Sequence, residues 1–148
     1  MSESTAETYR EAAQEALERA FWLHSNEKYF LAHYVAGLAV ECHLRAYLRS
    51  HTDEFKARHD LRLLAEESNF YNIVPQGLEG KFSNDFETLN LRWRSNHRYY
   101  SERQFLDHMN VIKAEYDKKG DRWKNLSRTL YNLADNIIRQ GEAKWKTK

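Results

Sequence analysis

Apolar residues recur at helical spacing along almost the whole chain, and no stretch alternates at period two. Tyr9, Ala13, Ala16, Leu17, Ala20 and Phe21 form one stripe. They predict a first helix capped by Ser4 or Thr5, with Glu7 in the first turn near the positive end of the dipole. A break is expected at His24-Ser25-Asn26, with Asn26 capping the next helix. That second helix, about 27–49, is apolar nearly all round (Phe30, Leu31, Tyr34, Val35, Leu38, Val40, Leu44, Tyr47), which predicts a central helix with neighbours on several sides. Gly37 and its neighbouring alanines would let another helix approach closely. A polar link leads to a short helix over 60–68, with Asp60 as its cap. Residues 69–80 hold the one proline and two of the five glycines, and read as the longest irregular loop. A fourth helix is expected from about Ser83 into Arg92-Trp93-Arg94-Ser95-Asn96, with Phe86, Leu89 and Trp93 inward. Finally Phe105, Met109, Ile112, Tyr116, Trp123, Leu126, Leu130, Leu133 and Ile137 keep one phase through Lys118-Lys119-Gly120. That pattern fits one long helix or two nearly collinear ones. The expectation is an all-α, up-and-down bundle of four to five helices with a long C-terminal helix, in one domain spanning 1–148. Its core covers about 8–140, and a basic tail follows over 141–148.

Composition sharpens this picture. The 148 residues suit a single domain, and a hydrophobic share of 41% excludes a disordered or collagen-like chain. Valine, isoleucine and threonine together number only fourteen, which again favours helix. A single cysteine, Cys42, forbids an intramolecular disulfide and points to a reducing, cytoplasmic setting. The acidic start does not read as a signal peptide, and no apolar run approaches the roughly 20 residues that span a bilayer. Basic and acidic residues balance at 23 to 22, but not locally. Residues 1–18 carry five glutamates and one arginine, whereas 88–101 carry three arginines and a histidine with no acid. Such a basic island is a candidate surface for an anionic partner.

Glu41 stands out because it lies in the most apolar helix, where a carboxylate needs a partner. Arg45, one turn on, is the nearest candidate, and an arginine from the fourth helix is the other. His33, His43, His51 and His59 lack a His-Glu-x-x-His spacing, and there is no cysteine pair, so no metal is expected. The glycine-rich loops that cradle phosphates are also missing from the sequence, and no cofactor is expected.

The order of these features resembles the HEPN superfamily of helical bundles, found in prokaryotic toxins, defence systems and nucleotidyltransferase-associated modules. The resemblance rests on Tyr29-Phe30-Leu31-Ala32 running into Ala39-Val40-Glu41-Cys42-His43-Leu44-Arg45, then His59-Asp60-Leu61 with Leu64. It continues through Arg92-Trp93-Arg94-Ser95-Asn96-His97-Arg98-Tyr99 and a long closing helix. It covers roughly 8 to 140 as sparse positions. HEPN ribonucleases carry an arginine, four to six residues and then a histidine, which matches Arg92 and His97. The resemblance implies a homodimer with a shared cleft, lined near Glu41, and a metal-independent endoribonuclease paired with an antitoxin. Non-catalytic relatives imply instead a module that binds a nucleotide, an RNA or a nucleotidyltransferase, in which Arg98 and Tyr99 are the matched positions.

The chemistry of the residues suits the first reading. A histidine can assist the 2′-hydroxyl's attack on phosphorus, and an arginine can hold the phosphate with a planar fork. On a regular helix, residues five apart point about 140° from each other. A joint site therefore needs a bend near Ser95-Asn96, or two copies meeting across a two-fold axis; otherwise the two are separate solvated residues. Arg94 and Arg98, at i,i+4, share a face if helix persists, and with Tyr99 and Tyr100 they would offer phosphate contacts and base stacking. The opposite reading places Tyr99 in the core.

Overall fold

The computed structural model describes residues 3–47, 60–67, 79–112 and 122–145. Among the described residues there are six α-helices and one 3-10 turn: α1 (Glu3–Ser25), α2 (Tyr29–Ala46), α3 (Leu61–Glu67), α4 (Glu79–Arg92), the turn Ser95–Tyr99, α5 (Glu102–Val111) and α6 (Arg122–Trp145). The fold is all-α. Among the described residues, no helix is long and apolar enough to cross a membrane.

α1 and α2 form an antiparallel hairpin with the most extensive helix-helix packing among the described residues, and α2 also rests on α6, α3 and the 3-10 turn. α2 is thus the central helix that its all-round apolar pattern predicts. Its small residues Ala32, Ala36, Gly37 and Ala39 are buried together with Val40 and Leu44. The main core joins them to Ala16, Leu17 and Ala20 of α1, Leu61 and Leu64 of α3, Phe86 and Leu89 of α4, and Leu130, Ala134, Ile137 and Ile138 of α6. A second, smaller cluster lies under α5, where Phe105, Met109 and Leu126 pack with Phe30 and Trp123. Phe105 stacks on Trp123 with centroids 5.6 Å apart and meets Phe30 edge-on at 5.0 Å.

Several boundaries differ from the sequence expectation. α1 already includes Ser4 and Thr5, so neither caps it. Asn26 does not cap α2: its amide donates back to the Trp22 carbonyl, closing α1, and the chain turns through Glu27 at φ 63. Phe21, expected inside, is 57% exposed, although its ring touches Tyr131. Gly37 admits the Trp93 indole rather than a helix backbone. α4 starts earlier than expected and stops at Arg92, so the segment after it is not a continuing helix.

The C-terminal pattern divides into α5 and α6. Ser101 and Gln104 form a reciprocal cap, Gln104 N–H donating to Ser101 Oγ and Ser101 N–H to Gln104 Oε1, which starts a fresh helix at Glu102. The Lys118-Lys119-Gly120 stretch lies outside the described residues, as do Tyr116 and most of the expected 69–80 loop. The packed part also extends past residue 140. Gly141 is buried and its carbonyl accepts from the Tyr47 hydroxyl, while Glu142 pairs with Arg10 of α1. The basic tail therefore begins later than 141.

Candidate nucleic-acid interface

The acid-free stretch of the sequence forms the joint between α4 and α5. Arg92 ends α4, Trp93 turns inward, Arg94 is extended at φ −137 and ψ 142, and the 3-10 turn carries Ser95 to Tyr99. Trp93 anchors the joint. It is 2% exposed, its indole fills the notch at Gly37, and its Nε1–H donates to the Tyr34 carbonyl at 2.9 Å. The chain does bend between Arg92 and His97, but at Trp93-Arg94, just before the expected Ser95-Asn96 step.

That bend sends His97 into the interior. Its ring is 0% exposed and sits 5.0 Å from Tyr100, 5.2 Å from Phe105, 5.3 Å from His108 and 6.0 Å from His33. Burial above all, with His33, His108 and Arg94 adding to it, pushes the imidazole down to about 3, so it is neutral near pH 7. Its Nδ1 accepts from the Arg94 N–H at 3.2 Å. Arg92 is also buried, and its charge bears on His33; the arginine whose charge bears on His97 is Arg94. The structure therefore does not present Arg92 and His97 as one solvent-facing pair in a single chain.

The other residues singled out from sequence divide by exposure. Arg94 and Arg98 are exposed although the helix that was to align them has ended. Tyr99, which one reading placed in the core, is 74% exposed, and the Arg98 guanidinium lies 4.7 Å from its ring centroid. Tyr100 is half-buried against His97. Behind this ledge stands Tyr34 of α2. Burial pushes its phenol up, Arg98 pulls it back through charge and a side-chain hydrogen bond, and Glu41 and Tyr99 act on it as well. Glu41 stands two turns further along α2. It pairs with Arg45 at 3.5 Å, both groups nearly buried, as the i,i+4 spacing suggests.

An open groove of about 600 Å³ runs beside the turn, lined by Asp60, Asn90, Leu91, Arg94, Ser95 and Asn96. Leu91 exposes apolar surface there, while the amides, hydroxyl, carboxylate and guanidinium supply hydrogen-bonding groups. Its size lies within the range of small-molecule sites. Asn90 and Asp60 carry no signature of function in the sequence; only the fold brings the start of α3 beside the end of α4. Among the described residues, no group of three or more His, Cys, Asp or Glu side chains is arranged to hold a metal ion. Comparison with known proteins adds no relative: no family model, no curated protein and no solved structure matches this chain.

Proposed function

We propose that this chain is a helical module that binds single-stranded RNA or a nucleotide through the ledge formed by Arg94, Arg98 and Tyr99 and the groove beside it. The observation that carries the reading is the exposed Arg98–Tyr99 stack next to exposed Arg94, in a stretch of fourteen residues, 88–101, that contains no acid. Arginines contact phosphates, and an exposed aromatic face stacks a base whatever its identity. The Arg98 guanidinium over the ring makes a cation–π contact with Tyr99 itself, which keeps a positive charge beside the stacking face. In this reading Tyr100, packed on His97, backs the ledge, and Glu41 and Arg45 are a structural pair further along α2. The resemblance to HEPN bundles, and a homodimer or a nucleotidyltransferase or antitoxin as partner, belong to the same proposal.

Binding of a fluorescent oligouridylate over a salt series tests it. Arg94→Ala and Arg98→Ala are each expected to lower the salt slope by about 0.7, the value for one lost phosphate contact on a single strand. Tyr99→Ala is expected to weaken binding by about 1–3 kcal/mol with the slope retained. No binding by the wild type, or three variants indistinguishable from it, would overturn the reading.

A second reading is metal-independent RNA cleavage, with Arg92 holding the scissile phosphate and His97 moving the proton. One observation favours it: His97 Nε2 is buried with no hydrogen-bond partner among the described residues, so the atom that would pass the proton is uncommitted. It requires the 3-10 turn to swing His97 outward, or a second copy to rearrange it. RNA digestion in chelator decides this. Cleavage by wild type that is lost in both folded Arg92→Ala and His97→Ala favours the nuclease; binding without cleavage favours the first reading.

A further inference from the structure

The carboxyl end of α4 is closed by imidazoles. A helix leaves its last carbonyls without intrahelical partners, and a left-handed glycine often turns the chain so that backbone N–H groups reach them. Here the chain runs Asn90-Leu91-Arg92-Trp93-Arg94-Ser95, with no glycine. His33 of α2 places Nε2 3.2 Å from the Arg92 carbonyl oxygen, and His108 of α5 places Nε2 3.1 Å from that of Leu91. A carbonyl oxygen only accepts, so both rings carry a proton on Nε2 and donate. Two residues on, His97 Nδ1 accepts from the Arg94 N–H. The three rings form a row, His33 6.0 Å from His97 and His97 5.3 Å from His108, closed on one side by Phe105 at 4.6 Å from His33. The charges bearing on this row are Arg92 and Arg94. Backbone groups of Leu91, Arg92 and Arg94, which fix where α4 stops and the turn begins, are thus each held by a buried histidine.

We infer that His33 and His108 are positioning residues for the binding ledge: by donating to the last carbonyls of α4, they fix the direction in which Arg94, Arg98 and Tyr99 leave the helix. The inference rests on the proposed binding function and names what holds its surface in place. A ledge already held in its binding arrangement loses less conformational freedom when the ligand arrives. Neither histidine touches that ligand, because His33 is fully enclosed and His108 nearly so.

Four variants test the inference: His33→Leu and His108→Leu keep an apolar side chain without a donor, while His33→Gln and His108→Gln restore an N–H. Oligouridylate affinity and amide hydrogen exchange over 91–100 are measured for each, with folding checked by urea titration. The leucine variants are expected to bind about tenfold more weakly and to exchange faster over 91–100, and the glutamine variants to return within about threefold of wild type. Where a leucine variant fails to fold, the asparagine variant takes its place: its amide is too short to reach the carbonyl, and it must show the same loss. Wild-type binding and exchange in the folded leucine variants, or glutamine variants no better than leucine, would overturn the inference. A wild type that binds no oligouridylate would instead sink the binding reading, while the exchange data still report whether the histidines hold the joint.

Discussion

Gly37→Ala is expected to destabilise the protein by about 2–3 kcal/mol, although the same change inside a helix ordinarily gains about 1 kcal/mol. A Cβ at position 37 would stand 2.1 Å from both Cδ1 and Nε1 of Trp93 and 2.3 Å from Cγ. The ring has nowhere to retreat. It is almost fully buried, its Nε1–H is bonded to the Tyr34 carbonyl, and its backbone N–H is bonded to the Leu89 carbonyl at 2.9 Å. The clash must therefore be relieved by moving the joint that carries Arg94 to Tyr99, so ligand binding is expected to fall with stability. A double-mutant cycle isolates the cause. In a Trp93→Leu background the alanine is expected to cost nothing, or to stabilise slightly through helix propensity. Urea unfolding of the four proteins checks this. A neutral or stabilising Gly37→Ala in the wild-type background would show that the notch has room to spare.

Acid is expected to unfold the protein steeply. His33, His43 and His97 are each at most 1% exposed, and burial, the leading cause in each, pushes them down from 6.5 to about 4, 4 and 3. The sign follows from which state binds protons. Below pH 6.5 the unfolded chain protonates these rings while the folded chain does not, so stability falls as pH drops from 6.5 toward 4 and the full contribution is present only above 6.5. Each histidine contributes a slope of up to about 1.4 kcal/mol per pH unit, and the three together up to about 4. Glu142 acts in the same direction, because Arg10 holds its carboxyl below the usual value against the upward pull of burial. Integrated over these shifts the three rings remove about 6 kcal/mol by pH 5 and about 9 by pH 4, so a domain whose stability is about 5–9 kcal/mol is expected to unfold between roughly pH 5.5 and 4. His43→Leu should flatten the slope by about a third, since His43 packs on Tyr47 away from the row of three. Urea titrations at pH 7.5, 6.5, 5.5 and 4.5 measure this. A flat profile from 6.5 to 5 would contradict the burial of these rings.

The helices themselves were legible because burial leaves a period. Leu126, Leu130 and Ile137, or Phe86, Leu89 and Trp93, are apolar at the spacing that turns one helix face inward, and all are buried. Helix ends were less legible. The reciprocal Ser101–Gln104 cap does have a local signature, Ser-x-x-Gln, and it marks the start of α5 at Glu102, whereas the unbroken apolar phase from Phe105 to Ile137 left open whether α5 and α6 were one helix. The end of α4 has no such signature. Its carbonyls are satisfied by His33 and His108, 59 and 17 residues away, and no window of sequence contains that arrangement. The fate of His97 follows from the same cause. An Arg-to-His spacing reports separation along the chain, whereas the capped end of α4 and the extended Arg94 decide which way the imidazole points. Exposure of Arg94, Arg98 and Tyr99 is the other face of that geometry: as His97 turns in, its neighbours turn out.

Photo-crosslinking tests the central claim most directly. An oligouridylate carrying 4-thiouridine, irradiated with the wild-type protein and followed by trypsin digestion, is expected to leave its adduct on the peptide Tyr99-Tyr100-Ser101-Glu102-Arg103. In Arg98→Ala, where the corresponding tryptic peptide begins at Ser95, the adduct yield per protein measured before digestion is expected to fall. Adducts confined to other helices, at a yield indifferent to Arg98, would contradict the account.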